Sequence, residues 1–324
     1  MSGVDEPRAA TPDSAPVVIG VDGGGTGSRA VVLDAGGREL GREVGSAAIV
    51  IPGSETASME AIRDLVRRVL RAAGVPEGRP ARALVAGLAG VGREADRLRI
   101  ETMLSTSMAS LGLARSVLVR NDAEVALHDV FGTGPGILLV GGTGSIALAR
   151  LPSGRSLRTG GWGALAGDEG SGWSLGLGAA RAVLRSLDGR GPPTTLTDHV
   201  TRAFGTREPA ELVDRLRTAA KGQVAALAPQ VEAAARAGDE VAAGLADRAA
   251  AALADHVAPL IRAWHADLGG ETASQLEVAL LGGLVARGGP LRSRLLPRLE
   301  AMGAVPTPQC PDPARGAARL ALPI

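Results

Sequence analysis

The sequence predicts an α/β protein built from two similar lobes, and three observations lead to this prediction. Short apolar strand patterns alternate with helical patterns along the chain, which is typical of layered α/β folds. A glycine-rich segment and its flanking strands occur twice, at an offset of 117 residues that places Gly24 on Gly141. The chain has 324 residues, which is long for one hydrophobic core and comfortable for two lobes.

The first half of the chain begins with a predicted antiparallel meander that contains a glycine turn. Val17–Val21 is a continuous apolar run that ends at a glycine cluster, as expected of a buried strand. The next two strands, joined by a turn whose glycines suit a tight hairpin, are Arg29–Leu33 and Arg38–Val44. Helices and strands then alternate at Met59–Ala73 (helix), Ala83–Leu88 (strand), Glu94–Leu111 (helix) and Ser116–Val119 (strand). We therefore expect a first lobe at residues 17–118.

The second half repeats this meander and then becomes mostly helical. At the same offset, Gly24–Ser28 falls on Gly141–Ser145, and both copies read strand, glycine turn, strand, short turn, strand. A glycine-rich pentapeptide can recur by chance, but the matching strands favour two related lobes that face each other across a cleft. Later elements are a helix at Leu245–Trp264, a strand at Val278–Leu281 and a helix at Ala314–Ala321. We expect a second lobe with helical insertions at 119–324 and a disordered tail at 1–16.

Composition and charge exclude several classes of function. Lys plus Arg number 35 and Asp plus Glu 34, so the net charge is +1, and aromatic residues make up only 2% of the chain. The sequence therefore predicts neither a basic surface nor aromatic stacking platforms for nucleic acid. It contains no run of about 18 apolar residues, so no membrane span is predicted. Cys310 is the only cysteine, which excludes an intrachain disulfide and indicates the reducing cytoplasm. No metal-ligand spacing occurs among the histidines, which are His128, His199, His256 and His265.

The two glycine turns are candidate phosphate-binding sites. Backbone N–H groups approach phosphate oxygens closely only where no side chain intervenes, and successive N–H groups in a tight turn form an anion-binding concavity. Neither turn is a Walker A loop, and neither enters a helix as a dinucleotide-binding turn does. Asp22 precedes only the first turn, since the offset aligns it with Leu139, so we expect Asp22 to serve Mg²⁺ through water. The alternative is that Asp22 accepts hydrogen bonds from the turn amides.

Asn121 and Asp122 follow a predicted strand and precede a predicted helix at Ala123–Val130. Asp122 at this position could simply cap the helix. Because the end of the strand lies just before the second glycine turn, its carboxylate could instead accept the proton of an attacking hydroxyl group. Sequence alone leaves both roles open.

The segment from Gly160 to Trp173 is the densest unusual stretch of the chain, with glycines around Trp162, Asp168 and Glu169. Such a pattern predicts backbone that wraps a small polar ligand whose hydroxyl groups donate to the carboxylates. The alternative for Asp168 is a cap on a helix that begins near Ser171.

These motifs, in this order, resemble the N-acetylglucosamine kinase family, within the BadF/BadG/BcrA/BcrD-type group of the actin-like ATPase superfamily. The residues that carry the resemblance span nearly the whole chain after the tail: Val21–Thr26, Asn121–Ala123, Gly141–Ser145, Gly161–Gly163, Gly167–Ser171 and Leu281–Gly283. The resemblance implies two ribonuclease-H-like lobes with a cleft in which ATP, Mg²⁺ and the sugar meet. It also implies phosphorylation of an amino sugar, N-acetylglucosamine first of all, at its 6-hydroxyl, and a homodimer.

Roles for individual residues follow from the resemblance, position by position. It implies that Asp122 is the catalytic base. The implied ATP-binding residues are Asp22, Gly24, Gly25, Thr26, Gly142, Thr143 and Gly144, with Gly282 and Gly283 near the adenosine. The implied sugar-binding residues are Asn121, Gly161, Trp162, Gly163, Ala164, Leu165, Asp168 and Glu169.

One departure from the family and two alternatives bear on the substrate and the activity. Members of the family that the chain resembles place an Asn after the third strand to hold sugar hydroxyls, and Gly45–Val50 contains none; the loss of such a donor can change the substrate, so glucosamine and N-acetylmuramic acid are alternatives to N-acetylglucosamine. An ATPase activator of the same group would need paired cysteines for an iron–sulfur cluster, and Cys310 stands alone. A sugar-sensing regulator would be expected to add a DNA-binding module and to lack Asp122.

Overall fold

The computed structural model describes residues 16–51, 53, 55–269 and 276–322, so the predicted tail at 1–16 lies outside the described residues except for Pro16. The strands are β1 (Val18–Gly23), β2 (Ser28–Leu33), β3 (Glu39–Gly45), β4 (Ala83–Leu88), β5 (Val117–Asn121), β6 (Gly136–Gly141), β7 (Ser145–Arg150), β8 (Ser156–Gly160), β9 (Leu276–Leu281) and β10 (Ala304–Pro306). The helices are α1 (Glu55–Ala72), α2 (Glu94–Ser110), α3 (Asp122–Phe131), α4 (Gly172–Leu187), α5 (Leu196–Phe204), α6 (Leu212–Thr218), α7 (Lys221–Ala225), α8 (Ala228–Arg236), α9 (Glu240–Asp267), α10 (Arg292–Glu300) and α11 (Pro313–Leu320).

The chain forms two compact units, and each contains one mixed five-stranded sheet. The strand order is β3-β2-β1-β4-β5 in one sheet and β10-β9-β6-β7-β8 in the other. In the first sheet, β1, β2 and β3 form an antiparallel meander, and β4 and β5 run parallel to β1 on its other side. In the second sheet, β6, β7 and β8 form the meander, and β9 and β10 run parallel to β6. The second order is the first with each strand replaced by its counterpart, which confirms the predicted α/β repeat and the ribonuclease-H-like topology of each unit.

Alternation along β1 explains how the first sheet carries helices on both faces. Ile19 and Val21 point toward a core formed with α1 and α2, whereas Val18 points toward a core formed with α3 and α11. Gly20 lies against α11, since a Cβ there would overlap the backbone of Ala314 and Ala318. Close packing of α11 on the central strand therefore requires glycine at position 20.

The units divide the chain differently from the predicted lobes at 17–118 and 119–324. The first unit extends to Asp129 and also includes the residues from Asp312 onward, and the second is Val130–Pro311. The reason is α11, which packs on the first sheet and contributes to its buried core. The predicted assignment of this helix to the second lobe is therefore wrong.

The second unit buries its sheet against the long helix α9 and the shorter helices around it. Its core includes Ile137 and Leu139 of β6, Leu175 of α4 and Leu253 of α9, all nearly inaccessible to solvent. The predicted helix at Leu245–Trp264 is confirmed and is longer than predicted, since Asp239 caps its first turn through a side-chain bond from Ala242 N–H. Across the described residues, no helix combines the length and the apolar character that a membrane span requires.

Candidate functional site

In the first unit, the predicted site residues gather at one edge of the sheet. Strands β1, β4 and β5 run parallel, and Gly23, Leu88 and Asn121 occupy one row across them. Asp22 lies one residue before this row and Asp122 one residue after it. The carboxyl ends of parallel strands meet at the same edge, which is where open α/β sheets bind ligands.

The side chain of Asp22 is 16% exposed and lies 3.8 Å from the guanidinium of Arg29. Burial and the negative charge of Asp122 raise the pKa of Asp22 to about 7, and Arg29 only partly offsets them. In the described chain no turn amide donates to the Asp22 carboxylate. Asp22 therefore does not accept hydrogen bonds from the turn amides, and that alternative is wrong. Because burial and Asp122 disfavour its negative charge, a cation beside the Asp22 carboxylate would stabilise the charged form.

Asp122 is the first residue of α3, so its carboxylate has a local structural contact as well. Its Oδ1 accepts the N–H of Ala123 at 2.9 Å, and Oδ1 of Asn121 accepts the same N–H at 3.0 Å. Burial raises the pKa of Asp122, and these backbone hydrogen bonds partly oppose the rise. One carboxylate oxygen is thus held by the helix terminus, and the predicted capping role and the predicted role as a base are compatible.

The first glycine turn, Gly24–Gly27, joins β1 to β2. It is closed by a bond from Gly24 N–H to the Gly27 carbonyl at 3.0 Å. In the described residues, no protein acceptor engages the N–H groups of Gly25, Thr26 and Gly27. A Cβ at Gly25 would meet its nearest neighbour at 3.7 Å, an ordinary contact, and none of these glycines has a positive φ. The protein itself therefore does not require glycine at Gly25, as expected where a ligand approaches the backbone.

The second glycine turn, Gly142–Gly144, joins β6 to β7 and is one residue shorter. Gly141 pairs with Ser145 across three residues, whereas Gly23 pairs with Ser28 across four. Strand β6 therefore matches β1 at an offset one residue larger than predicted, and Asp22 corresponds to Val140 rather than Leu139. The conclusion that only the first turn has an acid at its base is unchanged.

Hydrogen bonds fix the second turn from behind. Gly142 N–H donates to the Gly144 carbonyl at 3.0 Å, and the carbonyls of Gly142 and Thr143 accept from the first amides of α4, Gly172 at 2.8 Å and Trp173 at 3.3 Å. Within the described part of the chain, the N–H groups of Thr143 and Gly144 have no protein partner. This turn, like the first, presents free backbone donors on a rigid support.

Asp168 lies directly behind the second turn and is the one described residue other than glycine with a positive φ, 61°. Its Oδ1 accepts the N–H of Ser145 at 3.0 Å, and its Oδ2 accepts from Nζ of Lys221 at 2.6 Å. The helix that follows is capped by Ser171, whose hydroxyl accepts from Ser174 N–H. The predicted capping role of the Asp168 side chain is therefore wrong, while its predicted contact with a sugar stays a prediction.

The segment Gly161–Leu165 projects apolar side chains into solvent. Trp162 is 68% exposed and Leu165 fully so, and the guanidinium of Arg158 lies 4.6 Å from the centre of the Trp162 ring. The Ala164 carbonyl is held by the indole N–H of Trp173 at 3.2 Å. Glu169 is exposed, and its carbonyl accepts from the Ser145 hydroxyl at 2.8 Å. Gly161 N–H also donates to the Ser145 carbonyl at 3.0 Å, so the segment is held at two points while the side chains of Trp162 and Leu165 stay accessible.

Gly282 approaches the second turn and Gly283 does not contact it. Gly282 has a φ of 100°, and a Cβ there would overlap the Gly141 carbonyl, which also accepts from Leu284 N–H at 3.0 Å. A Cβ at Gly283 would meet nothing. None of the predicted site residues lines either of two surface cavities, of about 380 and 290 Å³.

Two residues of the second unit that lie beside the second turn were not among the predicted site residues. Lys221 is one, and its only sequence signal is that it is the single lysine of the chain. His256 is the other, a nearly buried residue of α9 whose Nε2 lies 3.1 Å from the Ser145 hydroxyl. The spacing of the histidines in the sequence gives no sign of the bond between His256 and Ser145.

Comparison with known proteins gives consistent results over nearly the full chain. The sequence model of the BadF/BadG/BcrA/BcrD ATPase family matches residues 19–321. An N-acetyl-D-glucosamine kinase of Dictyostelium discoideum is 31% identical over 94% of this chain and 98% of its own. A protein of Clostridium acetobutylicum named N-acetylmuramic acid/N-acetylglucosamine kinase is 37% identical over 161 residues, 49% of this chain. That match spans about half, 51%, of the clostridial protein.

A solved structure agrees with the sequence matches. A Chromobacterium violaceum protein assigned as an N-acetylglucosamine kinase superposes with a TM-score of 0.76 and is 31% identical, covering 96% of this chain and all of that one. A ROK hexokinase of Thermus thermophilus, with a TM-score of 0.54 and 23% identity, shares the fold.

Proposed function

The chain belongs to the BadF/BadG/BcrA/BcrD ATPase family, and from this premise we propose that it is a kinase that transfers the γ-phosphoryl group of ATP to a hydroxyl of an amino sugar. N-acetylglucosamine, with its 6-hydroxyl as acceptor, is the first candidate substrate because of the relatives that match nearly the whole chain. The observation that carries the proposal is the pair of equivalent glycine turns with unpartnered N–H groups.

The two turns are proposed to hold the phosphates of ATP. Free amides at Gly25, Thr26 and Gly27 in one unit, and at Thr143 and Gly144 in the other, suit anionic oxygens because they are fixed before the ligand binds. Backbone donors that are already fixed neutralise phosphate charge without reorganising. We also propose that the protein works in the cytoplasm, because its proposed reaction consumes ATP.

Asp122 is proposed as the general base. The sugar hydroxyl oxygen attacks the γ-phosphorus, the bond from phosphorus to the β,γ-bridging oxygen breaks, ADP leaves, and the hydroxyl proton passes to the Asp122 carboxylate. Burial raises the pKa of Asp122, which makes its carboxylate a stronger base than an exposed aspartate.

The residues of the first unit fit a magnesium ion that arrives with ATP. Mg²⁺ in such sites takes one or two carboxylates together with phosphate oxygens and water. Burial and Asp122 disfavour the negative charge of the Asp22 carboxylate, which a cation would stabilise. The described residues contain no group of three or more His, Cys, Asp or Glu side chains that could hold a metal, so phosphate oxygens and water would complete the ligand set. Asp22, through water, would hold the ion, which would supply charge neutralisation of the phosphates.

The choice of sugar rests on the loop after β3 and on the segment Gly161–Leu165. The absence of Asn in Gly45–Val50 removes a donor for sugar hydroxyls, and a pocket built on hydrogen bonds discriminates strongly. Glucosamine and N-acetylmuramic acid are therefore alternative substrates, and the clostridial relative is named for both N-acetylmuramic acid and N-acetylglucosamine.

An ADP-release assay with Mg-ATP tests the proposal. The panel contains N-acetylglucosamine, glucosamine, N-acetylmannosamine, N-acetylmuramic acid, glucose and buffer alone. We expect one amino sugar to raise ADP release at least about 10²-fold over buffer, with the sugar phosphate identified by mass spectrometry. ADP release that no sugar stimulates would reject the kinase assignment in favour of an ATPase or a sugar sensor.

A further inference from the structure

Lys221 is exceptional in the composition of this chain. Of the 35 Lys and Arg residues, it is the only lysine. Every other cationic side chain of this kind is a guanidinium, which is larger, planar and forked, whereas an ammonium is a compact point charge. The contacts of Lys221 therefore show what a compact cation contributes at this position.

Lys221 forms an ion pair with Asp168 behind the second turn. Nζ lies 2.6 Å from Asp168 Oδ2, and the Asp168 side chain is 5% exposed while that of Lys221 is 37% exposed. Breaking such a pair leaves a buried carboxylate without its counter-charge, which is costly. Lys221 thus supports a carboxylate whose backbone sits at a φ of 61°, a conformation that residues with a Cβ seldom adopt.

The same pair touches the turn itself. A Cβ on Gly144 would lie 2.6 Å from Asp168 Oδ1 and 3.0 Å from Lys221 Nζ. Oδ1 also accepts the N–H of Ser145, the residue that ends the turn. The ammonium of Lys221 and the carboxylate of Asp168 therefore pack against the turn at Gly144, where a side chain would leave them no room.

We propose that Lys221 is a positioning residue for the nucleotide: its ammonium holds Asp168, and Asp168 holds the second glycine turn in the form that exposes the Thr143 and Gly144 N–H groups to a phosphate. This inference rests on the proposed function, and it assigns Lys221 to the nucleotide rather than to the sugar. Asp168 Oδ1 accepts from Ser145 N–H and Oδ2 accepts from Lys221, so loss of the ammonium removes one of the two contacts that fix the carboxylate behind the turn.

The size of the cation at position 221 can be tested separately from its charge. The slot beside Gly144 places Nζ 3.0 Å from the position of a missing Cβ. Lys221→Arg keeps the charge and adds bulk at this contact, so it separates the need for charge from the need for size.

Calorimetric titration with ATP and ADP, without sugar, tests the proposal directly. We expect Lys221→Met to weaken ATP binding at least about 10-fold and Lys221→Arg to weaken it about 3-fold or more. The matched control is Arg294→Met, which removes a cation from another carboxylate that is 5% exposed, Glu232, at 3.0 Å. Equal loss of ATP affinity in the control and in Lys221→Met would mean that Lys221 affects ATP binding only through the stability of the fold, and it would overturn the proposal.

Steady-state kinetics with the accepted sugar separates nucleotide from sugar. We expect the KM for ATP to rise at least about 10-fold in Lys221→Met, while the KM for the sugar stays within about 2-fold. A rise in the KM for the sugar alone would overturn the assignment to the nucleotide. If the wild-type protein phosphorylates no sugar, the kinase assignment fails, whereas the ATP titrations still decide the role of Lys221.

Chemical rescue of a Lys221→Cys variant separates loss of the ammonium from poor folding as the cause of weaker ATP binding. Cys310 is the only cysteine and is exposed, so Lys221→Cys is made together with Cys310→Ser and then alkylated with 2-bromoethylamine. The product carries an ammonium at nearly the length of lysine. Recovery of ATP affinity on alkylation supports the proposal, and alkylation without recovery, in a protein with an unchanged melting temperature, contradicts it.

Discussion

The carboxylate of Asp129 and the guanidinium of Arg315 form a bidentate ion pair, with Nε 2.7 Å from Oδ1 and Nη2 2.7 Å from Oδ2. The Asp129 side chain is fully buried, and Arg319 adds a contact at 3.2 Å. Asp129 ends the first segment of its unit and Arg315 lies on α11, so the pair joins two distant parts of the sequence. Because α11 packs on β1, this pair supports the strand that carries Asp22.

Replacing Arg315 should therefore destabilise the first unit. We expect Arg315→Met to lower the free energy of unfolding by about 2–4 kcal/mol, because it leaves a buried carboxylate with a weaker counter-charge. Urea denaturation followed by circular dichroism measures the change. The control, Arg38→Met, removes a partner of Asp34 that is 78% exposed and should cost less than about 1 kcal/mol. Similar losses in the two variants would contradict the importance of burial.

Replacing Asp122 should remove turnover and spare nucleotide binding. We expect Asp122→Ala to lower kcat at least about 10²-fold and to leave the KM for ATP nearly unchanged, because the proton acceptor is lost while the turns remain. Glu124→Gln, an exposed carboxylate on the same helix, is the control and should change kcat less than about 2-fold. Near-normal turnover in Asp122→Ala would show that another group accepts the proton.

The raised pKa of Asp22 should make wild-type stability depend on pH. Unfolded Asp22 ionises near 3.8 and folded Asp22 near about 7, so the folded state holds the proton between these values and loses stability as the pH rises through this window. Asp22→Asn cannot ionise. Relative to wild type, we expect it to gain up to about 4 kcal/mol of stability between pH 4 and pH 8.

Urea denaturation of both proteins at the two pH values, without nucleotide or magnesium, gives this difference. An equal offset at both pH values would mean that the carboxylate is not disfavoured in the fold. The gain should come with weaker binding of Mg-ATP, since the substituted side chain carries no charge.

The two turns should respond differently to added methyl groups. Gly25→Ala places a Cβ at an ordinary 3.7 Å contact, whereas Gly144→Ala places one 2.6 Å from Asp168 Oδ1. We expect Gly25→Ala to keep its melting temperature within about 2 °C and to raise the KM for ATP at least about 10-fold, and Gly144→Ala to lose stability as well. Normal ATP kinetics in Gly25→Ala would argue against a phosphate at the first turn.

Much of the fold could be predicted because local patterns agreed with tertiary structure. The apolar runs at β1 and β4 and the repeated glycine turn are properties of contiguous residues, and they led to the repeated sheet. The position of α11 could not be predicted in this way. Its small residues pack against Gly20, almost three hundred positions earlier, and no local pattern records such a contact.

The site was predictable to the same extent. Asp22 lies near the end of β1 and Asp122 directly follows β5, and strand order brings these two ends to one edge of the sheet. Lys221 lies in a short helix of five residues without any motif, and only the fold carries it to Asp168. The extra residue in the first turn was also invisible, because a single alignment offset assigns it to the strand.

The discontinuity of the first unit has a consequence for biosynthesis. The second unit is one uninterrupted stretch, Val130–Pro311, whereas the first needs the residues from Asp312 onward. On the ribosome, the first unit therefore cannot be completed when its first segment emerges, because its sheet stays uncovered on the α11 side until the residues from Asp312 onward have been translated. The middle of the polypeptide can mature first, and chaperones would meet β1 and β2 with Val18, Val31 and Leu33 still unprotected.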